Sequence, residues 1–74
     1  MSKPTRITNS IRALRFARGE MTQAELAQRI GVTRQTVIAI EQGRYSPSLE
    51  VAFQIARVLK VSLDEVFQYP EGDA

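Results

Sequence analysis

Apolar positions recur with a helical period along most of this chain, and short polar or glycine-containing breaks separate the periodic runs. The first run opens with Ile11, Leu14 and Arg15, behind Asn9 or Ser10 as N-cap. It should end near Arg18-Gly19, because glycine commonly follows a helix C-terminus. Thr22-Gln23-Ala24-Glu25 then reads as a capping box, in which Thr22 and Glu25 each satisfy a backbone N–H that a new helix leaves unpaired. Leu26, Ala27 and Ile30 form the apolar face of this second helix, and Gly31 closes it. Thr33 caps a third helix that runs to Gln42, with Gly43 as terminator. After the loop RYSPS, Ser48 caps a helix over residues 49–60. Ser62-Leu63-Asp64-Glu65 is a second capping box, opening a short helix through Val66 or Phe67. Pro70 keeps the tail QYPEGDA from continuing it.

The predicted fold class is all-α, with five short helices, tight connections and no internal repeat. A chain of 74 residues has room for one domain. Residues 1–9 are read as an arm or short strand, 10–68 as the domain, and 69–74 as a polar tail. Within the domain, residues 22–43 form two helices joined by a short glycine-containing turn, which is the helix-turn-helix pattern. Ala27 sits where a larger side chain would push the two helices apart. Gly31 sits at the turn, where a left-handed backbone carries no Cβ penalty. Leu26, Ile30, Val32, Val37 and Ile40 have the spacing needed to pin the pair onto the other helices.

Composition narrows the chemistry. The chain has no cysteine and no histidine, which excludes disulfides, the usual zinc ligand sets and Cys–His or Ser–His nucleophiles. No metal, cofactor or catalytic residue is expected. Asp64-Glu65 is the only adjacent acidic pair, and its place in a capping box explains it without catalysis. Neither a membrane-length apolar run nor the apolar centre of a signal peptide is present, so a cytoplasmic protein is expected. The net charge of +2 is unevenly spread: residues 1–49 hold eight Lys/Arg against three acids, residues 50–74 two against five. A basic first two-thirds fits a polyanionic partner.

The text TQAELAQRIGVTRQTVIAIEQGR, followed by YSPSLEVAFQIARVLKVSLDEVF, resembles the Cro/phage-repressor-like (xenobiotic-response-element-like) helix-turn-helix family of bacterial transcriptional regulators. The resemblance spans about residues 11–67 and is greatest to the family's very small members. It implies a five-helix lambda-repressor-like domain acting as a dimeric DNA-binding repressor. It also implies a short antiparallel ribbon from the terminal segments, for which Arg6-Ile7-Thr8 and Phe67-Gln68-Tyr69 are the candidates. One departure is visible: Gly19-Glu20-Met21 makes the first turn one residue longer than usual, which leaves the phasing of helix 1 open.

In such a motif the N-terminal end of the second helix enters the major groove. Thr33, Arg34 and Gln35 occupy that end, with Thr33 also the cap. Arg34 can donate two hydrogen bonds to guanine O6 and N7, and Gln35 can pair with adenine N6 and N7. Ile38 and Ala39 follow one turn later and can meet a thymine methyl, although burial competes for Ile38. Phosphate contacts are expected from Thr22 and Gln23 at the start of helix 2, where free N–H groups favour an anion. Thr36, Arg44, Tyr45 and Ser46 supply further ones, and Lys3 and Arg6 are weaker arm candidates. The resemblance also implies that Arg15 pairs with Glu41, which makes both structural.

Helix 4 is apolar almost all round. Leu49, Ala52, Ile55, Ala56 and Leu59 fill one face, leaving Val51, Phe53 and Val58 for further coverage. With Leu63, Val66, Phe67 and Tyr69 they form the expected homodimer interface, although completing a small monomeric core would also use them. An isologous dimer would place two recognition helices about 34 Å apart on a palindromic double-stranded operator. The competing function is an antitoxin-like, partner-binding protein, against which the short polar tail argues.

Overall fold

A computed structural model of the chain describes residues 5–70. Lys3 and residues 71–74 of the expected tail lie outside the described residues. Five helices follow a short strand: β1 (Thr8–Asn9), α1 (Ile11–Ala17), α2 (Gln23–Ile30), α3 (Arg34–Glu41), α4 (Leu49–Leu59) and α5 (Leu63–Val66), and β2 (Phe67–Gln68) ends the series. β1 and β2 pair antiparallel, with Thr8 opposite Gln68 and Asn9 opposite Phe67. The ribbon is therefore two residues per strand. Arg6, Ile7 and Tyr69 lie outside it.

The starts of α2, α3 and α4 follow from local capping. Thr22 accepts from Glu25 N–H at 3.0 Å while Glu25 accepts from Thr22 N–H at 2.9 Å. Thr33 accepts from Thr36 N–H, and Ser48 from Val51 N–H. The capping box at α5 closes only halfway. Ser62 N–H donates to Glu65, but the Ser62 hydroxyl also donates to that carboxylate, and Glu65 N–H bonds instead to the Ser62 carbonyl. At α1 the cap residue Ser10 makes no side-chain cap bond, and Asn9 Oδ1 accepts from Ile11 N–H instead.

Gly31 ends α2 with φ of 75°, in the left-handed region that glycine reaches without strain, and the chain turns from there into α3. α3 stops at Glu41 and α4 at Leu59, one residue before each expected end. Lys60 leaves the helix in a left-handed conformation with φ of 60°.

The core draws on every helix: Ile11 from α1, Leu26 and Ile30 from α2, Val37 and Ile40 from α3, Ile55 and Leu59 from α4, and Val66 from α5. Met21, in the turn before α2, is buried with them, a core position that lies outside any helical period. Leu49 departs from its expected place on the inner face of α4 and is 72% exposed. As the first residue after the Ser48 cap, it overhangs the core that Ala52, Ile55 and Leu59 reach. Val66 overturns its expected place in a dimer interface. It is 0% exposed, so its side chain is used up inside the protomer.

The pKa of Glu25 lies below the ordinary glutamate value, first because the Thr22 backbone N–H donates to its carboxylate, then because of the Thr22 hydroxyl. A carboxylate with a lowered folded pKa stabilises the fold above its unfolded pKa, and that contribution is lost as pH falls through the folded value. Glu25→Gln is accordingly expected to remove part of the acid sensitivity of α2. NMR titration of the Glu25 carboxyl carbon checks the premise, and an ordinary or raised pKa would contradict it.

Candidate nucleic-acid interface

α3 is divided along its length. Val37 and Ile40 are buried, while Thr33, Arg34 and Gln35 at its start are exposed. Arg34 and Gln35 make no side-chain hydrogen bond among the described residues. Thr33 is engaged in capping, and its hydroxyl also shares a hydrogen bond with that of Thr36 at 3.0 Å. Ile38 and Ala39 are half-buried, and Ile38 stands outside the set of apolar side chains packed on the core. Burial thus leaves Ile38 with an accessible side.

A polar network fixes this helix against its neighbours. Arg15 Nε donates to Glu41 Oε2 at 2.7 Å and Arg15 Nη2 to Glu41 Oε1 at 3.2 Å. Arg15 Nη1 donates to the Met21 carbonyl at 2.7 Å. Gln23 Nε2, from the first turn of α2, donates to Glu41 Oε1 at 3.1 Å. The two charged side chains are only 13% and 9% exposed. With so little water to screen them, two-point pairing and matched extra donors are what make the burial tolerable. Asn9 extends the network, its Nδ2 donating to the Ile40 carbonyl at 3.0 Å. The end of α3 is thereby tied to β1, α1 and α2 together.

Asn9 and Met21 were visible in the sequence only as a cap candidate and an ordinary loop residue. Their partners lie across the fold, and no local spacing marks them. The longer first turn also resolves here. Gly19 and Glu20 both adopt positive φ, at 75° and 59°, and Met21 N–H returns to the Arg15 carbonyl at 2.9 Å. The extra residue is absorbed in that left-handed step, and Arg15 keeps its phase toward Glu41.

The remaining candidates frame α3. Thr22 is exposed at the start of α2 with its hydroxyl engaged by Glu25 N–H, and Gln23 beside it is half-buried. Past the other end of α3, Gly43 turns the chain and Arg44, Tyr45 and Ser46 are exposed. Arg6 is exposed before β1. Among the described residues Arg15–Glu41 is the one ion pair, so Arg6, Arg34 and Arg44 carry uncompensated charge. On α4 and beyond it, Val51, Val58, Leu63 and Phe67 pack partly on their own core, whereas Phe53 is 57% exposed and Tyr69 is exposed as well. No described helix is long and apolar enough to cross a membrane.

Loss of the Glu41 carboxylate would strand the Arg15 guanidinium. Glu41→Ala is expected to cost about 3 kcal/mol, the lower end for breaking a buried pair, measured as a lower urea midpoint. A midpoint within error of the wild type would show that the network adds nothing to the fold.

Comparison with known proteins places this geometry. Residues 11–66 match the family model described as Helix-turn-helix. An uncharacterized HTH-type transcriptional regulator from Methanothermobacter thermautotrophicus is 54% identical over 55 residues, covering 73% of this chain and 80% of that one. The cryptic phage CTXphi transcriptional repressor RstR of Vibrio cholerae is 37% identical over 59 residues, 80% of this chain but about half (52%) of the repressor. A crystal structure of a putative DNA-binding protein from Bacteroides fragilis superposes with a TM-score of 0.72 at 22% identity, covering 84% of this chain and 98% of that one, and supports the fold.

Proposed function

Because the chain belongs to the helix-turn-helix family, we propose that it is a sequence-specific double-stranded DNA-binding regulator, a homodimeric repressor that reads an operator with α3. The observation that carries this reading is the exposed first turn of α3. Arg34 and Gln35 stand there without side-chain partners among the described residues, on a helix that Val37 and Ile40 anchor to the core. Such side chains are free to exchange water for base edges. Thr33 and Ala39 flank them, and the accessible side of Ile38 suits a thymine methyl. Thr22, Gln23, Thr36, Arg44, Tyr45 and Ser46 border the same helix and would hold the phosphates on either side. Arg15 and Glu41 contribute by orientation alone, since their charges are spent on each other.

A single domain this small makes few phosphate contacts and binds weakly, which favours two copies on one site. The exposed apolar stripe on α4, Leu49 and Phe53 one turn apart, is the surface to pair. Tyr69 and the outer edges of Val51, Val58, Leu63 and Phe67 would complete it. Repression by occluding a promoter fits a protein of this kind, and RstR, a relative, is named a repressor.

Selection from a random duplex pool is expected to enrich a two-fold symmetric sequence. On that duplex, Arg34→Ala should relax preference at one base pair per half-site, at a cost of about 1–3 kcal/mol. Arg44→Ala should weaken all sequences alike and lower the salt slope by about 1. Uniform loss from both would make Arg34 a phosphate contact, and no enrichment over random DNA would refute the function.

For the assembly, sedimentation should show twice the 8.3 kDa chain mass, and Phe53→Glu should return it to 8.3 kDa. A wild-type protein that stays at 8.3 kDa at high concentration would exclude this dimer.

A further inference from the structure

We infer that Asn9, a residue that need not touch DNA, is a positioning residue for base specificity. Resting on the DNA-binding reading above, the ribbon β1–β2 is a strut from the end of α5 to the end of α3. The Asn9 carboxamide is the joint through which that strut sets the angle of the reading helix.

The two ends of the strut are built alike. At one end Gln68 Nε2 donates to the Asp64 and Glu65 carbonyls, at 3.0 and 3.1 Å, where α5 runs out. At the other, Asn9 Nδ2 donates to the Ile40 carbonyl at 3.0 Å and more weakly to that of Glu41 at 3.4 Å, where α3 runs out. Each carboxamide thus supplies a donor to last-turn carbonyls, which a helix cannot satisfy by itself. Between the two ends, Thr8 stands opposite Gln68 and Asn9 opposite Phe67. The Thr8 hydroxyl donates to the Gln68 carbonyl at 3.3 Å, and Ser10 N–H to the Val66 carbonyl at 2.8 Å. Position 9 has use for both ends of an amide. Its Oδ1 accepts from Ile11 N–H at 3.1 Å while its Nδ2 serves α3, and a carboxylate would keep the first bond and lose the second.

The place of attachment gives the strut its leverage. Among the described residues, every side-chain hydrogen bond that reaches α3 from another element lands on Ile40 or Glu41. Arg15 and Gln23 hold the Glu41 side chain, and Asn9 is the one side chain from another element that holds the α3 backbone. Polar restraint therefore sits at the end opposite Arg34 and Gln35. A helix of eight residues is about 12 Å long, so a tilt of about 5° about its last turn moves its first turn by about 1 Å. Flexible side chains can follow a phosphate over that distance, but a two-point contact to a base edge loses its alignment. Loss of the joint should accordingly be felt in discrimination between sequences, and Asn9 carries no charge whose removal would alter general attraction to DNA.

The test uses the full chain and compares affinity for the selected duplex with affinity for a scrambled one. Fluorescence anisotropy across a salt series reads both, at a temperature well below the melt of each variant by circular dichroism. Asn9→Ser keeps an acceptor for Ile11 N–H and removes the donor to α3. It should lower the ratio of the two affinities about tenfold, with the loss falling on the selected duplex. Affinity for the scrambled duplex and the salt slope should stay as in the wild type. Gln68→Pro breaks the strut from its α5 side, since proline cannot donate to the ribbon or cap α5. It should lower the ratio to a similar extent, and the double variant should fall no further than either single one.

A wild-type ratio in either variant, while Arg34→Ala still alters base preference, would overturn the strut and leave the DNA reading intact. Equal losses on both duplexes would do the same, as would losses that multiply in the double variant. Should Asn9→Ser fail to fold, Gln68→Pro decides by the same ratio with Asn9 in place. Failure of the wild type to enrich any duplex would overturn both readings.

Discussion

The bidentate pairing of Arg15 with Glu41 is the constraint from which the geometry of this domain follows. It joins the last turn of α1 to the last residue of α3 across a space where water is nearly excluded. Neither charge could stay there alone, because an unpaired ion in such surroundings costs far more than a small domain can spare. The additional donors and acceptors matter as much as the pair. Gln23 completes Glu41, the Met21 carbonyl completes Arg15, and Asn9 holds the preceding backbone carbonyl of α3. A buried pair of this kind adds less to stability than well-packed apolar groups would, but it demands one arrangement of its partners. That arrangement sets where the first turn of α3 points.

The turn between α1 and α2 shows how much this constraint controls. Its additional residue could have rotated α1 and carried Arg15 away from Glu41. Two successive positive-φ residues, Gly19 and Glu20, take up the length. Glu20 pays a steric penalty that glycine would not, and Met21 gains a place in the core. Local strain at one exposed residue is a smaller cost than losing the network.

The apolar surface has a corresponding division. Val66 and Leu59 disappear into the protomer, while Leu49, Phe53 and Phe16 stay in solvent. A helix of eleven residues cannot bury every apolar side chain against one small core. Those left outside fall on α4 and on α1. In the proposed function the α4 group pairs with a second copy.

What the sequence determined by itself was everything governed by neighbours along the chain. The helices, the Thr22–Glu25 box, the turn at Gly31 and the inward period of Val37 and Ile40 depend on residues within four positions of each other, so their chemistry is written locally. The exposed character of Arg34 and Gln35 follows from the same period. The Arg15–Glu41 pair was reached only through family resemblance, since 26 positions separate the partners. Tertiary structure alone decided the burial of Met21 and Val66, the exposure of Leu49 and Phe16, and the reach of Asn9. Each of these depends on which distant surfaces meet and where the core ends, and a periodic pattern records a face without recording what lies opposite it.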